Sequence, residues 1–440
     1  MPKVQLSREI LKCEPKTLQN ITFSSEQIEQ LYTEFATNYH PIFPVIDIMK
    51  GPEKLYRLCP ALFWVIMLTS LRRNSDPSSR SLLVELSPLV RKLLEDLTIS
   101  PITRYSPSEF DEPVFNASSV FSVQAFLIST IWPPLASSLS ADSSWNTIGI
   151  ALFQAIRIGL HSPGHAMDFS NAAKTDDTRQ LMLLTEQIRT WTCCNIVSQT
   201  ISTAFGYPAF TSFDRNLLSF IELNNELNIP LEVKQLMEVT DYECQIVNTL
   251  SGTVHRSRFS SNERIPLINI LSQRLDKMEM RFDYDSMDNY RKLAFLNARV
   301  HLYTYYFFDL KDDRNDRHDF YDNSSDEDDE TTKRKKNGIP GEDADDDRLS
   351  LSLKFGLIKL FDACVAVINH CQLSQNADKR FMKYLPGVYV ISIWQAAFMI
   401  TKISFSPLKQ IIDFQKGKNM YQLAIYLTLR SSVMKHDIAF

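Results

Sequence analysis

The sharpest chemical pattern in this 440-residue sequence is Asp312-Asp313-Arg314-Asn315-Asp316. Carboxylates at D-D-x-x-D spacing offer the hard oxygen ligands that hold Mg²⁺. An all-helical enzyme would use such a pair to grip a prenyl diphosphate. The second metal motif that this chemistry needs, N/D-D-x-x-S/T-x-x-x-E, is missing, because beyond Asp328-Asp329 and Thr332 the position of the acid is taken by Lys336. The cluster also opens a run, Lys311 to Arg348, with fifteen acidic and eight basic residues and almost nothing apolar. Such a run cannot bury enough surface to offset its ordering entropy. It reads as a disordered insertion, and no metal site is predicted.

Charged side chains inside apolar helices are the second chemical signal. Arg157 lies on a helix from Trp145 to His161, and Glu186 and Arg189 on a helix from about Asp177 to Phe205. Buried charges need partners. Two arrangements satisfy that need. Glu186 pairs with Arg157 or Arg189 and fixes helix packing, or one arginine keeps surplus charge and faces a cavity. In the second case its planar fork can clamp a carboxylate. The candidate ligand-binding set is therefore Arg157 and Arg189 with His161, Arg72, Tyr389 and Lys402, and Arg73 beside them. Trp191 and Trp394 read as core.

Other catalytic and metal signals are weak. His40 and His161 have no partner at metal-ligand spacing, and no nucleophile elbow, dinucleotide fingerprint or P-loop occurs. The seven cysteines (Cys13, Cys59, Cys193, Cys194, Cys244, Cys364 and Cys371) are scattered and odd in number, with no C-x-x-C. They read as free, mostly buried thiols of a reducing compartment. A net charge of −5 argues against the whole chain serving as a phosphate-binding surface.

The elements that must position these residues are helices. Glycine is scarce, at 11, and the 44% hydrophobic residues with 27 Phe suffice for a sizeable core. Residues 1–22 have few periodic apolar positions and read as a flexible arm. Ser24-x-x-Gln27 is a capping box ahead of Ile28, Leu31, Tyr32 and Phe35, and Pro41 and Pro44 end that helix. Pro60 opens a helix that runs to Arg73, followed by helices at 78–97 and 120–131. Trp145, Ile148, Leu152 and Ile156 form one stripe of the next helix, with Ile150, Phe153, Gln154, Arg157 and His161 on another face, as in a fully buried helix. Later helices fall at 231–258, 265–280, 288–308, 349–371, 385–403 and 411–434. The apolar runs at 62–71 and 388–400 fall short of the roughly 20 residues that cross a bilayer. The expectation is an all-α, large multi-helix array: residues 23–310, the charged insertion 311–348, and a last part 349–440.

Four stretches in order carry a family resemblance. They are LYTEFATNYHPIFP (31–44), LCPALFWVIMLTSL (58–71), the helix W…IG.A…A.R.GLH (145–161), and E..R..W…N..S….F-G-x-P (186–208). Together they resemble the central regulatory domain of fungal Zn2Cys6 (binuclear zinc cluster) transcription factors. Within that family the chain is most similar to the branch that activates leucine biosynthesis genes in response to α-isopropylmalate.

The resemblance implies a nuclear regulator, not an enzyme, that senses a small anionic metabolite. It implies DNA contact through an N-terminal zinc cluster, homodimers, and a C-terminal activation segment released when the ligand binds. The cluster's six close cysteines are not in this sequence, so no cofactor is expected here, zinc belonging to that separate cluster. A weak-acid or drug sensor of the same family is the alternative, and a terpene-synthase-like enzyme a more distant one. Lys333-Arg334-Lys335-Lys336 reads as solvated charge or as an import signal.

Overall fold

A computed structural model describes residues 6–74, 77–100, 102, 107–110, 112–133, 142–162, 177–211, 221, 227–255, 261–283, 287–307, 351–406 and 412–431. The expected insertion at 311–348, with its D-D-x-x-D and Lys333–Lys336 runs, lies outside them. The protein is all-α, with fifteen α-helices and one two-stranded hairpin among the described residues. The chain forms two compact units. One comprises Met1–Asp241, Ala377–Ile391 and Thr428–Phe440; the other comprises Tyr242–Asn376 and Ser392–Leu427.

The first unit begins with a correction. The segment expected to be a flexible arm is folded, with helix α1 (Arg8–Leu11) and the antiparallel strands β1 (Lys16–Leu18) and β2 (Ile21–Phe23). Leu11, Cys13, Leu18, Ile21 and Phe23 are buried. Glu53 holds the segment down: its carboxylate accepts from the Cys13 thiol (3.3 Å) and the Glu14 N–H (3.2 Å), and pairs with Lys16 (2.8 Å). Strands of three residues are too short to print a periodicity, which is why the anchoring was not legible.

Helix α2 (Ser25–Glu34) starts with the expected capping box, Gln27 N–H to Ser24 Oγ at 3.3 Å and Ser24 N–H to Gln27 Oε1 at 3.0 Å. It does not simply stop before Pro41. Phe35–Tyr39 widens into a π-helical turn, closed by the His40 N–H on the Phe35 carbonyl at 3.0 Å. Tyr39 then meets Trp132 and Tyr384 edge-on at 5.2 and 5.1 Å. The Tyr384 hydroxyl donates to the Glu34 carboxylate.

Helix α3 (Gly51–Leu58) leads into α4 (Pro60–Leu71), in which every residue is buried. Pro60 sits where a missing N–H costs nothing. The Thr69 and Ser70 hydroxyls donate back to the carbonyls of Val65 (2.8 Å) and Ile66 (3.0 Å), which satisfies both in the apolar wall, whereas the buried Trp64 Nε1 has no partner. Around α4 pack α2, α3, α5 (Pro77–Thr98) and α6 (Val120–Ile131). Helices α7 (Ser144–Arg157) and α8 (Asp177–Phe205) pack on each other and on α6.

The second unit contains most of α9 (Leu231–His255), then α10 (Ser261–Arg281), α11 (Asn289–Thr304) and most of α12 (Leu351–Ala377). After the short α13 (Phe381–Tyr384), which is in the first unit, come α14 (Gly387–Ser404) and α15 (Phe414–Ser431). Arg299 ties α11 to α10 through Asp276 (3.0 Å) and Glu279 (2.6 Å), and the Tyr242 hydroxyl donates to the Leu271 carbonyl at 2.8 Å. Helix α14 is long and apolar enough to cross a bilayer by length and composition. Its Ile393, Ala396, Ala397, Ile400 and Ile403 are nevertheless buried within the protein, as in a core helix.

Candidate functional site

The buried charge on α8 is paired from within, although Gln124 Oε1 beside it has no partner. Arg189 is 8% exposed and Glu186 6%. Arg189 Nη2 reaches Glu186 Oε1 at 2.5 Å, and its Nε donates to the Val45 carbonyl at 3.0 Å. Gln124 of α6 donates from Nε2 to the same Glu186 oxygen (2.6 Å) and to Thr190 Oγ1 (2.9 Å), and Thr190 in turn donates to the Glu186 carbonyl (2.8 Å). The carboxylate thus meets a cation and an amide while the cation meets a carboxylate and a carbonyl, as buried ion pairs require. Of the two arrangements open to Arg189, the internal pair forms. Gln124, a lone amide in the apolar run VFSVQAFLIST, is the one sign in the sequence of this polar partner.

The remaining candidates separate. Arg157, expected to be buried, is exposed at the end of α7. The physical reason is that α7 buries one face only: Ile148, Ala151, Leu152 and Ala155 point inward, whereas Phe153 and Ile156 are 64% and 40% exposed. It therefore makes no pair with Glu186. His161 is also exposed, its ring centroid 6.3 Å from that of Trp191. Lys402 belongs to the other unit and is exposed, its ammonium 5.3 and 5.7 Å from the ring centres of Phe398 and Phe307. Arg72 and Arg73 are half-buried at the end of α4, where Arg73 donates to the Ser431 carbonyl. Of the six, Tyr389 lines a cavity.

That cavity lies wholly within the first unit. It holds about 390 Å³ of empty space, counted out to its open mouth. The segment just after the π-turn contributes Ile42 and Phe43, and α6 contributes its last residue, Ile131. Helix α8 supplies Ile196, Val197, Thr200 and Ile201, at the i, i+1, i+4, i+5 spacing of one helical face. Leu236 of α9 and the Pro386, Val388 and Tyr389 stretch at the start of α14 complete the wall. No wall residue carries a formal charge. The Thr200 hydroxyl is spent on the Ile196 carbonyl at 2.8 Å.

Titratable groups elsewhere are shaped by burial. His40, just ahead of Ile42, is held down to about 4, first by burial and then by the Arg189 charge, so its imidazole is neutral at pH 7. Burial pushes the Glu243 carboxyl in the second unit up to about 8. The same effect lowers His301 to about 4. All seven cysteines are free and buried, and desolvation raises the thiols of Cys13 to about 12, Cys59 to about 11 and Cys193 to about 12. Such thiols are poor nucleophiles and poor metal ligands. Among the described residues no group of three His, Cys, Asp or Glu is placed to hold a metal ion.

No family model matches the sequence, and no solved structure matches it. The chain is 42% identical over 438 residues, 98% of its length, to Regulatory protein LEU3 of Saccharomyces cerevisiae, of which the aligned region is 46%. Over 272 residues, 61% of the chain and 27% of the relative, it is 22% identical to Transcriptional regulatory protein SEF1 of Candida albicans. A Putative transcription factor SEF1 of Eremothecium gossypii is 23% identical over 288 residues, 64% of the chain and 25% of the relative. The chain thus spans less than half of the first relative and about a quarter of the SEF1 proteins. The first of these relatives is named as a regulatory protein and the SEF1 proteins as regulators of transcription, none of them as an enzyme.

Proposed function

We propose that this chain, similar over nearly its whole length to a fungal transcription regulator, is the effector-binding regulatory region of an activator of the binuclear zinc cluster kind. The observation that carries the reading is the 42% identity to LEU3 across 98% of the chain. By that likeness the effector is a small organic acid, α-isopropylmalate, and the genes controlled are those of leucine biosynthesis. The region works in the nucleus, in a homodimer that meets DNA through a zinc cluster outside this sequence.

Control by a ligand requires that it bind two states of the protein with different affinity. In this reading the occupied state frees an activation segment and the empty one masks it. The reading is supported by an apolar cavity, open to solvent, in the helical region of the family likeness. The experiment is a replacement in yeast lacking LEU3. This chain is substituted for the aligned region of LEU3, and a leucine-gene reporter is read with and without α-isopropylmalate synthesis. Metabolite-dependent expression is the expected result. A reporter that ignores the metabolite, with the chimaera present at normal level, contradicts the proposal.

A further inference from the structure

We propose that the cavity between α6, α8 and the start of α14 takes the branched aliphatic part of the effector, while its carboxylates stay in water at the mouth. This rests on the effector-binding reading and names the part of the ligand that the site selects. The walls carry the argument. Ile42, Ile131, Ile196, Val197, Ile201 and Val388 are β-branched hydrocarbons, and no side chain in the wall bears charge. A carboxylate drawn inside would lose its water and find no cation. Arg189 lies on the same face of α8, seven residues before Ile196 and so about 10 Å away along the helix. It is already engaged by Glu186 and the Val45 carbonyl. The dianionic end of the ligand therefore gains nothing from entering, and a hydrocarbon branch does.

β-branched side chains on a helix keep essentially one rotamer. The α8 wall thus does not collapse into the space, and its shape discriminates. The walls offer water almost no hydrogen-bond partner, so water in the cavity is weakly held and a hydrocarbon branch displaces it at little cost. Tyr389, half-buried at the wall's edge, stands where the chain turns into α14.

Calorimetry on the whole chain tests this with two acids, α-isopropylmalate and malate, which differ by the isopropyl group alone. Burying three carbons predicts that malate binds about 10- to 100-fold more weakly. Val197→Phe, which fills the space, should reduce α-isopropylmalate to the affinity of malate without lowering the melting temperature. Thr200→Leu fills the same space less severely and reads the same effect should the phenylalanine variant not fold. Equal affinity for the two acids overturns the cavity assignment alone, as does undiminished α-isopropylmalate binding by folded filling variants. No heat from either acid overturns the effector reading with it.

Discussion

Glu186 stands where a cation, an amide and its own helix converge, so single substitutions there separate two kinds of cost. Glu186→Gln leaves the Arg189 guanidinium buried opposite a neutral amide, and a loss of about 3 kcal/mol is expected. Replacing both, as Glu186→Leu with Arg189→Met, removes the orphan charge and should recover most of that loss. Urea unfolding of the single and double variants reads the difference; additive losses would show that the two side chains do not act as a pair. Arg157→Met, on an exposed helix end, should change stability by no more than about 0.5 kcal/mol.

Glu243 gives a pH signature. Its carboxyl is raised to about 8 in the folded chain by burial. An unfolded chain releases this proton near the ordinary carboxylate value of about 4.3. Between those values the folded state holds the extra proton, so stability falls as pH rises from about 4 to 8 and levels off above. Glu243→Gln should flatten that part of the stability profile and raise stability at pH 8. A profile unchanged by the substitution would show that Glu243 does not titrate in this window.

At the scale of elements, close approaches decide which positions tolerate change. Gly356 on α12 lies directly under the Tyr306 ring, itself 2% exposed, and an added Cβ would collide with it. Gly356→Ala should therefore cost about 1–3 kcal/mol, although alanine is the better helix former. A stabilised variant in thermal melts would contradict that packing. The helix boundaries were legible where local chemistry sets them: the Ser24 and Gln27 cap of α2, Pro60 at the start of α4, and α6 from Val120 to Ile131. On α7 the apolar residues on two faces predict full burial, and the structure differs. Phe153 and Ile156 are in fact exposed, and nothing local in the sequence distinguishes an apolar residue facing solvent from one facing a neighbour. The π-turn at Phe35–Tyr39 has no local signature in the sequence; it accompanies the tertiary fit of Tyr39 against Trp132 and Tyr384.

At the scale of the molecule, the idea that buried cations await an anionic visitor does not carry over to this structure. Arg189 is neutralised from within, and Arg157 and Lys402 face solvent. What the structure offers instead is an apolar cavity assembled from five separated stretches, at residues 42–43, 131, 196–201, 236 and 386–389. Periodicity finds the face of each helix, but it does not say which faces meet. Motif order made the family likeness legible, and the 42% identity to LEU3 agrees with it. The ligand's seat was not legible, since a hydrocarbon wall looks like any other core.

The most direct measurement is the thermal unfolding of this chain with and without α-isopropylmalate. A ligand that binds only the folded state stabilises it by about 2.7 kcal/mol at 100 times its dissociation constant. The melting temperature is expected to climb with ligand concentration, and to do so far less with malate at equal concentration. A melting temperature indifferent to α-isopropylmalate up to millimolar concentration would contradict the claim that this region is an effector-binding one.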